Sequence, residues 1–462
     1  MGKEQEIQLE GEKPASTAIA TDGSIIRQRI DTGPWSFRQL LILFVCFLFN
    51  IADGFDVVAM AMAAPAVANE WAIEPTALGV IFASALAGMT VGAMFLAPWS
   101  DRLGRRWMIL ITAAMMSLSM LATAYALSVT QLLVIRFLTG LAIGAMLASV
   151  IAMTAEYAPQ RHRNFAIIFV QSGYSLGAVL VGPVSGYFVA NHHWSDIFIC
   201  GAIFSTVLFF VTLFWVPESI EFLAGQKGSK ADRLQKINRI LARLKRDRID
   251  TLPAPPSDVT VATGSIRSLL GSAFRATTLR LWTVFFMAFW ATYFFVNWIP
   301  KLIVNAGFDM QQGIAALTLF TIGSLIGALL LGAISSRFSL SRLIASMFAA
   351  SVVLLAIYTQ QQPQALWLLY SFMFALGFLL SGGFTGLYAV ASLSYPPAIR
   401  ATGFGWCVGL GRAGAILSPI LAGYLVAVGW SMYVLFMVLA IPAIVISGIL
   451  VYGLGAKQRS PV

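Results

Sequence analysis

Twelve times along this chain, about twenty residues pass with almost no charge, and that recurrence decides most of what the chain can become. A helix of that length crosses the hydrocarbon of a bilayer. In lipid the backbone must satisfy its own hydrogen bonds, which a helix does within itself. A β-barrel would show short alternating segments, and these runs are uniformly apolar. Of the 462 residues, 11% are charged and 58% hydrophobic, against about 25% charged in soluble domains. The expected fold is an all-α membrane protein: twelve transmembrane helices in two pseudo-symmetric six-helix bundles.

The spans are read at 38–60, 78–98, 107–127, 131–153, 165–190 and 195–216, then at 281–303, 313–334, 341–359, 366–392, 400–427 and 431–454. The expected organisation is a cytoplasmic disordered tail (1–34), a first bundle (35–216), a linker with an amphipathic basic helix (217–280), a second bundle (281–454) and a short cytoplasmic tail (455–462). No cleavable signal peptide is evident. Cys46, Cys200 and Cys407 lie in apolar runs without metal spacing and read as small core hydrophobes.

Cation placement gives the orientation. Arg27, Arg29, Arg38, Arg102, Arg105, Arg106, Arg161, Arg163, Arg337, Arg342 and Arg400 fall in the tail and the even-numbered loops, and the linker adds twelve Lys and Arg. The opposite loops hold Lys301. Both termini are therefore expected in the cytoplasm of a bacterial-type inner membrane. The net charge of +10 is then a topology signal, and no nucleic-acid partner is expected.

The halves repeat each other. A shift of 237 residues lays Phe137 and Gly140 on Phe374 and Gly377, Arg163 on Arg400, Gly177 on Gly414, and Gly186-Tyr187 on Gly423-Tyr424. Two like six-helix halves are the architecture of a rocking transporter with its site at their interface.

The loop after the second span reads Asp101-Arg102-Leu103-Gly104-Arg105-Arg106, preceded by Ala97. It resembles the signature loop of the major facilitator superfamily, departing at Ala97, where glycine is usual. The matching loop, Gly332 to Arg337, has Ser336 at the aspartate position. The Pro217-Glu218-Ser219 run also looks like the superfamily. Asp53-Gly54-Phe55-Asp56 in span one, Arg136 to Glu156-Tyr157-Ala158-Pro159 in span four, and Arg400 to Arg412-Ala413-Gly414 in span eleven together resemble its aromatic acid:proton symporter family. Over residues 35–454 the resemblance implies uptake of a benzoate- or hydroxybenzoate-like acid by proton symport. It also implies a cytoplasmic latch at Asp101, Arg102 and Arg105, the alternative being a charged loop that only sets topology. Glu156, ending span four at the cytoplasmic boundary, is expected to make a gate contact to Arg163, Arg105 or Arg400, the alternative being a second proton site, with Glu218 and Glu221 in similar contacts.

The charges inside the spans carry the chemistry. Counted along the helix axis, Asp53 lies about 22 Å and Asp56 about 27 Å above the cytoplasmic end of span one, and Arg136 falls level with Asp53. A buried arginine needs an anion, and two close carboxylates should divide their roles. One is expected to pair with Arg136 while the other handles the proton; the alternative is a static pair locking spans one and four. Arg412 is placed lower, about 18 Å up span eleven, with no acidic residue in the second-half spans. It is the expected anchor for a substrate carboxylate. The alternative is an arginine that snorkels or pairs across to span one.

Ring contacts are expected from Tyr293, Phe384, Tyr388 and Trp406, with Trp290 a further candidate, and polar contacts from Gln171, Asn297 and Ser175. No metal site and no cofactor are called for; the proton gradient drives the cycle. The partners are a small aromatic carboxylate, a proton and the bilayer, and the chain is expected to act as a monomer. The competing reading is a transporter or facilitator of another organic anion or a sugar with different coupling. No nucleotide-binding loop or catalytic triad points to an enzyme.

Overall fold

The computed structural model describes residues 28–31, 35–191, 193–226, 229–252, 266–335, 337–361, 365–395 and 397–457. Most of both expected tails lies outside the described residues, as do His192, Ser336 and the side chains of Asp101 and Arg400. Among the described residues the chain is helical and holds twelve helices long and apolar enough to cross a membrane. They are α1 (Phe37–Glu70), α2 (Pro75–Trp99), α3 (Arg105–Ala124), α4 (Val129–Tyr157), α5 (Arg163–Ala190) and α6 (Trp194–Trp215) in the first half. The second half has α7 (Arg275–Asn305), α8 (Met310–Ile334), α9 (Leu340–Gln361), α10 (Leu366–Leu393), α11 (Pro397–Ala427) and α12 (Met432–Leu454). A linker helix, Lys230–Arg243, lies between them.

Two boundaries differ usefully from expectation. Helix α1 runs ten residues past 60, through Pro65, because AMAAPAVA stays apolar and buried although the bilayer thickness is already spent. Helix α11 begins at Pro397, one turn earlier than 400.

Glycines at the helix crossings let backbones touch, the usual device where lipid removes the hydrophobic drive between helices. In α1, a Cβ on Gly54 would run into the carbonyl of Tyr174 on α5. The repeat is visible in the same contacts. Gly140 of α4 packs on Ala85 of α2, and its counterpart Gly377 of α10 packs on Phe320 of α8. Gly177 of α5 packs on Ile51 of α1, and its counterpart Gly414 of α11 packs on Phe286 of α7.

The halves meet at the face away from the arginines. There Gly79 packs on Pro419, Gly423 on Pro75, and Phe82 stands edge-on to Trp298 at 5.6 Å between ring centroids. Gln311 Nε2 donates to the Gly186 carbonyl at 2.9 Å. Toward the Arg-rich face, Gly405 and Gly409 have no atom within 4 Å of where a Cβ would stand. They share an α11 face with Arg412 at i, i+4, i+7 spacing, so that face borders a cleft open toward the arginines.

Candidate functional site

The Asp-Gly-Phe-Asp segment sits mid-helix in α1 because its glycine is needed there. Gly54 brings α1 against α5, which buries both neighbouring aspartates, at 2% exposure for Asp53 and 0% for Asp56. The two then part company. Asp56 is gripped by Arg136 of α4 with both carboxylate oxygens: Nη1 donates to Oδ1 at 2.7 Å and Nη2 to Oδ2 at 3.0 Å. Nη2 also reaches the Asp56 carbonyl at 3.3 Å, and the guanidinium lies 5.9 Å from the Phe198 ring centroid. Arg136 Nε has no partner, and a small cavity lined by Arg136, Asn297, Val57 and Phe82 adjoins this pair.

The depth count levelled Arg136 with Asp53, and the structure corrects this to Asp56. Helix side chains lean toward the N-terminus of their helix. The N-terminus of α4 is at the far face, so the guanidinium reaches one turn outward from its Cα, to where Asp56 is.

Asp53 makes no hydrogen bond to any described residue, and its Oδ1 is fully buried. What it faces is Arg412, on the other half, near enough to act on its charge. Arg412 is half-buried and also makes no hydrogen bond or ion pair with a described residue. The expected offset between Asp53 and Arg412, about 4 Å, narrows once the two helix starts are seen. With α1 starting at Phe37 and α11 at Pro397, Asp53 is about 24 Å and Arg412 about 22 Å from the Arg-rich face.

Aromatic groups surround this unpaired couple. Tyr293 and Tyr388 are within electrostatic reach of Arg412, and Tyr174 is within electrostatic reach of Tyr293 and Asp53. Phe289 stacks on Tyr293 at 5.7 Å and meets Phe384 edge-on at 4.8 Å. Phe384 in turn meets Tyr388 edge-on at 5.6 Å.

Other candidates divide. Asn297 is buried and donates to the Tyr293 carbonyl at 2.7 Å, on the side of the Arg136 cavity. Gln171 is exposed, one turn from Tyr174 toward the Arg-rich face, and Ser175 is half-buried. Trp290 is committed elsewhere: its Nε1 donates to the Leu439 carbonyl of α12 at 3.2 Å. Trp406 is 41% exposed and packs on Trp282, six residues from Arg412 and so turned well away from it on α11. Tyr174 and Phe289 were missed in the sequence reading; Gly173 and Gly177, flanking Tyr174, were the available signal for the first.

At the Arg-rich face, Arg105 Nε donates to Glu156 Oε1 at 3.1 Å, and the Ser219 hydroxyl donates to Glu156 Oε2. This contact ties α3, α4 and the end of α6 within one half. Arg102 is exposed, with no partner among the described residues. Glu218 differs from the expected ion pair. Its Oε1 accepts the backbone N–H of Arg106 at 3.0 Å and of Ser219 at 2.9 Å, capping the start of α3, where free N–H groups favour a carboxylate. Gly104, at φ +105°, is the turn before that helix, and a Cβ there would strike the Glu218 carboxylate.

Comparison with known proteins places this geometry. A sequence profile described as Major Facilitator Superfamily matches residues 42–359 and 307–461. The chain is 32% identical to a gallate transporter of Pseudomonas putida, covering 90% of this chain and 92% of that protein. It is 30% identical to the 4-hydroxybenzoate transporter PcaK of Acinetobacter baylyi, covering 93% and 94%. Among solved structures, a partially occluded inward-open xylose transporter of E. coli superposes with a TM-score of 0.67 at 18% identity, covering 92% and 98% of the two chains. That likeness shows the fold alone.

Proposed function

The chain belongs to the Major Facilitator Superfamily, and from that premise we propose that it imports an aromatic carboxylic acid together with a proton by alternating access. The observation that carries the reading is the unpaired couple of Asp53 and Arg412, on opposite halves and ringed by Tyr174, Tyr293, Tyr388 and Phe289. The names of the gallate and 4-hydroxybenzoate relatives support a hydroxylated benzoate as substrate.

The coupling follows from charge. An ionised Asp53 and Arg412 balance each other across the empty cleft. A substrate carboxylate that takes Arg412, with the bidentate grip arginine gives, would leave Asp53 as a buried uncompensated anion. A proton on Asp53 removes that penalty. Anion and proton therefore bind cooperatively, and their release restores a neutral cleft that can reorient empty. The aromatic shell holds the ring, and tyrosine hydroxyls are at hand for ring hydroxyls. Asp56 and Arg136 stay a fixed pair. The site binds and releases without making bonds, which fits a carrier rather than an enzyme.

The Arg-rich face is read as cytoplasmic by the positive-inside rule, in the inner membrane of a bacterial cell, with a monomer as the working unit. The cleft then opens to the side where substrate is released. The 35–216 and 281–454 bundles are read as the two bodies that rock. Arg105 and Glu156, together with Asp101, Arg102 and Arg400, are read as the gating set at that face.

The experiment is uptake of labelled 4-hydroxybenzoate or gallate into proteoliposomes under an inward proton gradient, with and without a protonophore. Gradient-dependent accumulation of either acid, with no accumulation of xylose, is expected. Accumulation that ignores the protonophore would overturn the coupling.

A further inference from the structure

The linker helix Lys230–Arg243 presents two faces. Ile237, Ile240, Leu241 and Leu244 are buried, and the helix packs on the short helix Ile220–Gly225. Beside them Lys236, Arg239 and Arg243, at i, i+3, i+7 spacing, form an exposed stripe. That stripe is one wall of a groove of about 350 Å³, whose other walls include Arg106, Trp107, Leu103, Glu218 and Phe222. Four cations thus line one groove with a single carboxylate.

That carboxylate offsets one charge of the four, and its oxygens point to the backbone N–H groups at the start of α3 or are buried. Lys236, Arg239 and Arg243 have no partner among the described residues. Arg106 Nε is likewise buried and unpartnered, while its Nη2 donates to the Leu213 carbonyl at 2.6 Å. Topology requires cations at this face, but it does not require four of them to converge on one groove.

The groove's position selects the occupant. Trp107 and Leu103 on its rim are 53% and 44% exposed, and Phe214 and Trp215 at the nearby end of α6 are 72% and 59% exposed. Exposed tryptophans at the ends of spans mark the headgroup level of a bilayer. An anion held here has its polar part among guanidinium groups and its apolar part beside the lipid-facing surface of α3 and α6.

We propose that this groove is a binding site for the phosphate of an anionic glycerophospholipid, which bridges the linker helix to the start of α3. Arginines grip phosphate oxygens in the same forked geometry they use for carboxylates. Each cation near an anionic headgroup contributes about a fivefold gain in affinity.

The test is native mass spectrometry of the detergent-solubilised full chain titrated with phosphatidylglycerol. Parallel arms use phosphatidylcholine and inorganic phosphate as competitor. Wild type is expected to hold one phosphatidylglycerol more tightly than the triple variant K236Q/R239Q/R243Q by about tenfold or more. A control that removes three cations from the second half, R275Q/R280Q/R342Q, is expected to bind like wild type. The single exposed substitution Arg239→Glu, which leaves the buried face untouched, is expected to weaken binding alone. Equal binding of phosphatidylglycerol by wild type and both groove variants would overturn the site. So would equal affinity for phosphatidylcholine, or displacement of the lipid by millimolar inorganic phosphate.

Discussion

Asp53 and Asp56 are three residues apart on one helix and equally buried, yet the protein treats them in opposite ways. Asp56 is closed off. Both oxygens are satisfied by Arg136, and the pair joins α1 to α4 within one half. Asp53 faces the cleft with no hydrogen bond, opposite an Arg412 that has none either. A charge pair within one half moves as a unit when the halves rock, so it serves structure. A couple split between the halves and left unmade changes with every ligand that enters. The second kind is what coupling needs.

The comparison breaks most visibly at the closed pair. Asp56→Asn or Arg136→Met alone strands a buried charge and is expected to cost about 3–5 kcal/mol, seen as poor yield and a large fall in melting temperature. The double substitution is expected to recover much of that loss. If both single variants are as stable as wild type, the pair is not the structural one.

Arg412→Ala is next. It is expected to lower substrate affinity by about 10- to 150-fold, the worth of a charge-assisted contact of about 1.5–3 kcal/mol, with stability little changed. Arg412→Lys keeps the charge without the forked grip and should fall between. Unaltered binding by the alanine variant in a radioligand assay would remove the anchor.

Asp53→Asn sharpens the contrast, because it imitates the protonated acid. Binding is expected to persist and to lose its pH dependence over a range of about 5- to 150-fold, while uphill accumulation ceases. A variant that still accumulates substrate against its gradient would shift the proton role elsewhere.

The ring contacts are smaller. Phe289→Leu or Tyr388→Leu is expected to weaken binding by about 2- to 10-fold. Trp406→Leu, which alters a ring turned from the couple, is expected to leave affinity within about twofold, inside the usual range for an exposed substitution.

Much of this was legible in the residues, and the failures have physical causes. Twelve apolar runs foretold the helices, and Gly140 and Gly377, aligned by the 237-residue repeat, fill equivalent contacts in the two halves. The need of Arg136 for an aspartate was legible too. Which aspartate was not, because axial counting ignores the lean of a side chain along its helix. Arg412 was placed about 4 Å lower because span eleven was counted from Arg400, whereas the helix begins at Pro397. Trp406 and Trp290 were expected near the substrate from residue type and span alone, and helical phase turns one to Trp282 and the other to α12. Tyr174 is brought beside Asp53 by the close α1–α5 crossing at Gly54, which residue type and span alone did not show.

The central claim is that anion and proton share one electrostatic couple, and calorimetry tests it directly. Binding of 4-hydroxybenzoate is measured at alkaline pH in buffers of different ionisation enthalpy, which reports protons taken up per anion bound. Wild type is predicted to take up about one proton and Asp53→Asn close to none, as linkage through a single carboxylate requires. Equal uptake by both proteins, or none by wild type, would contradict the account.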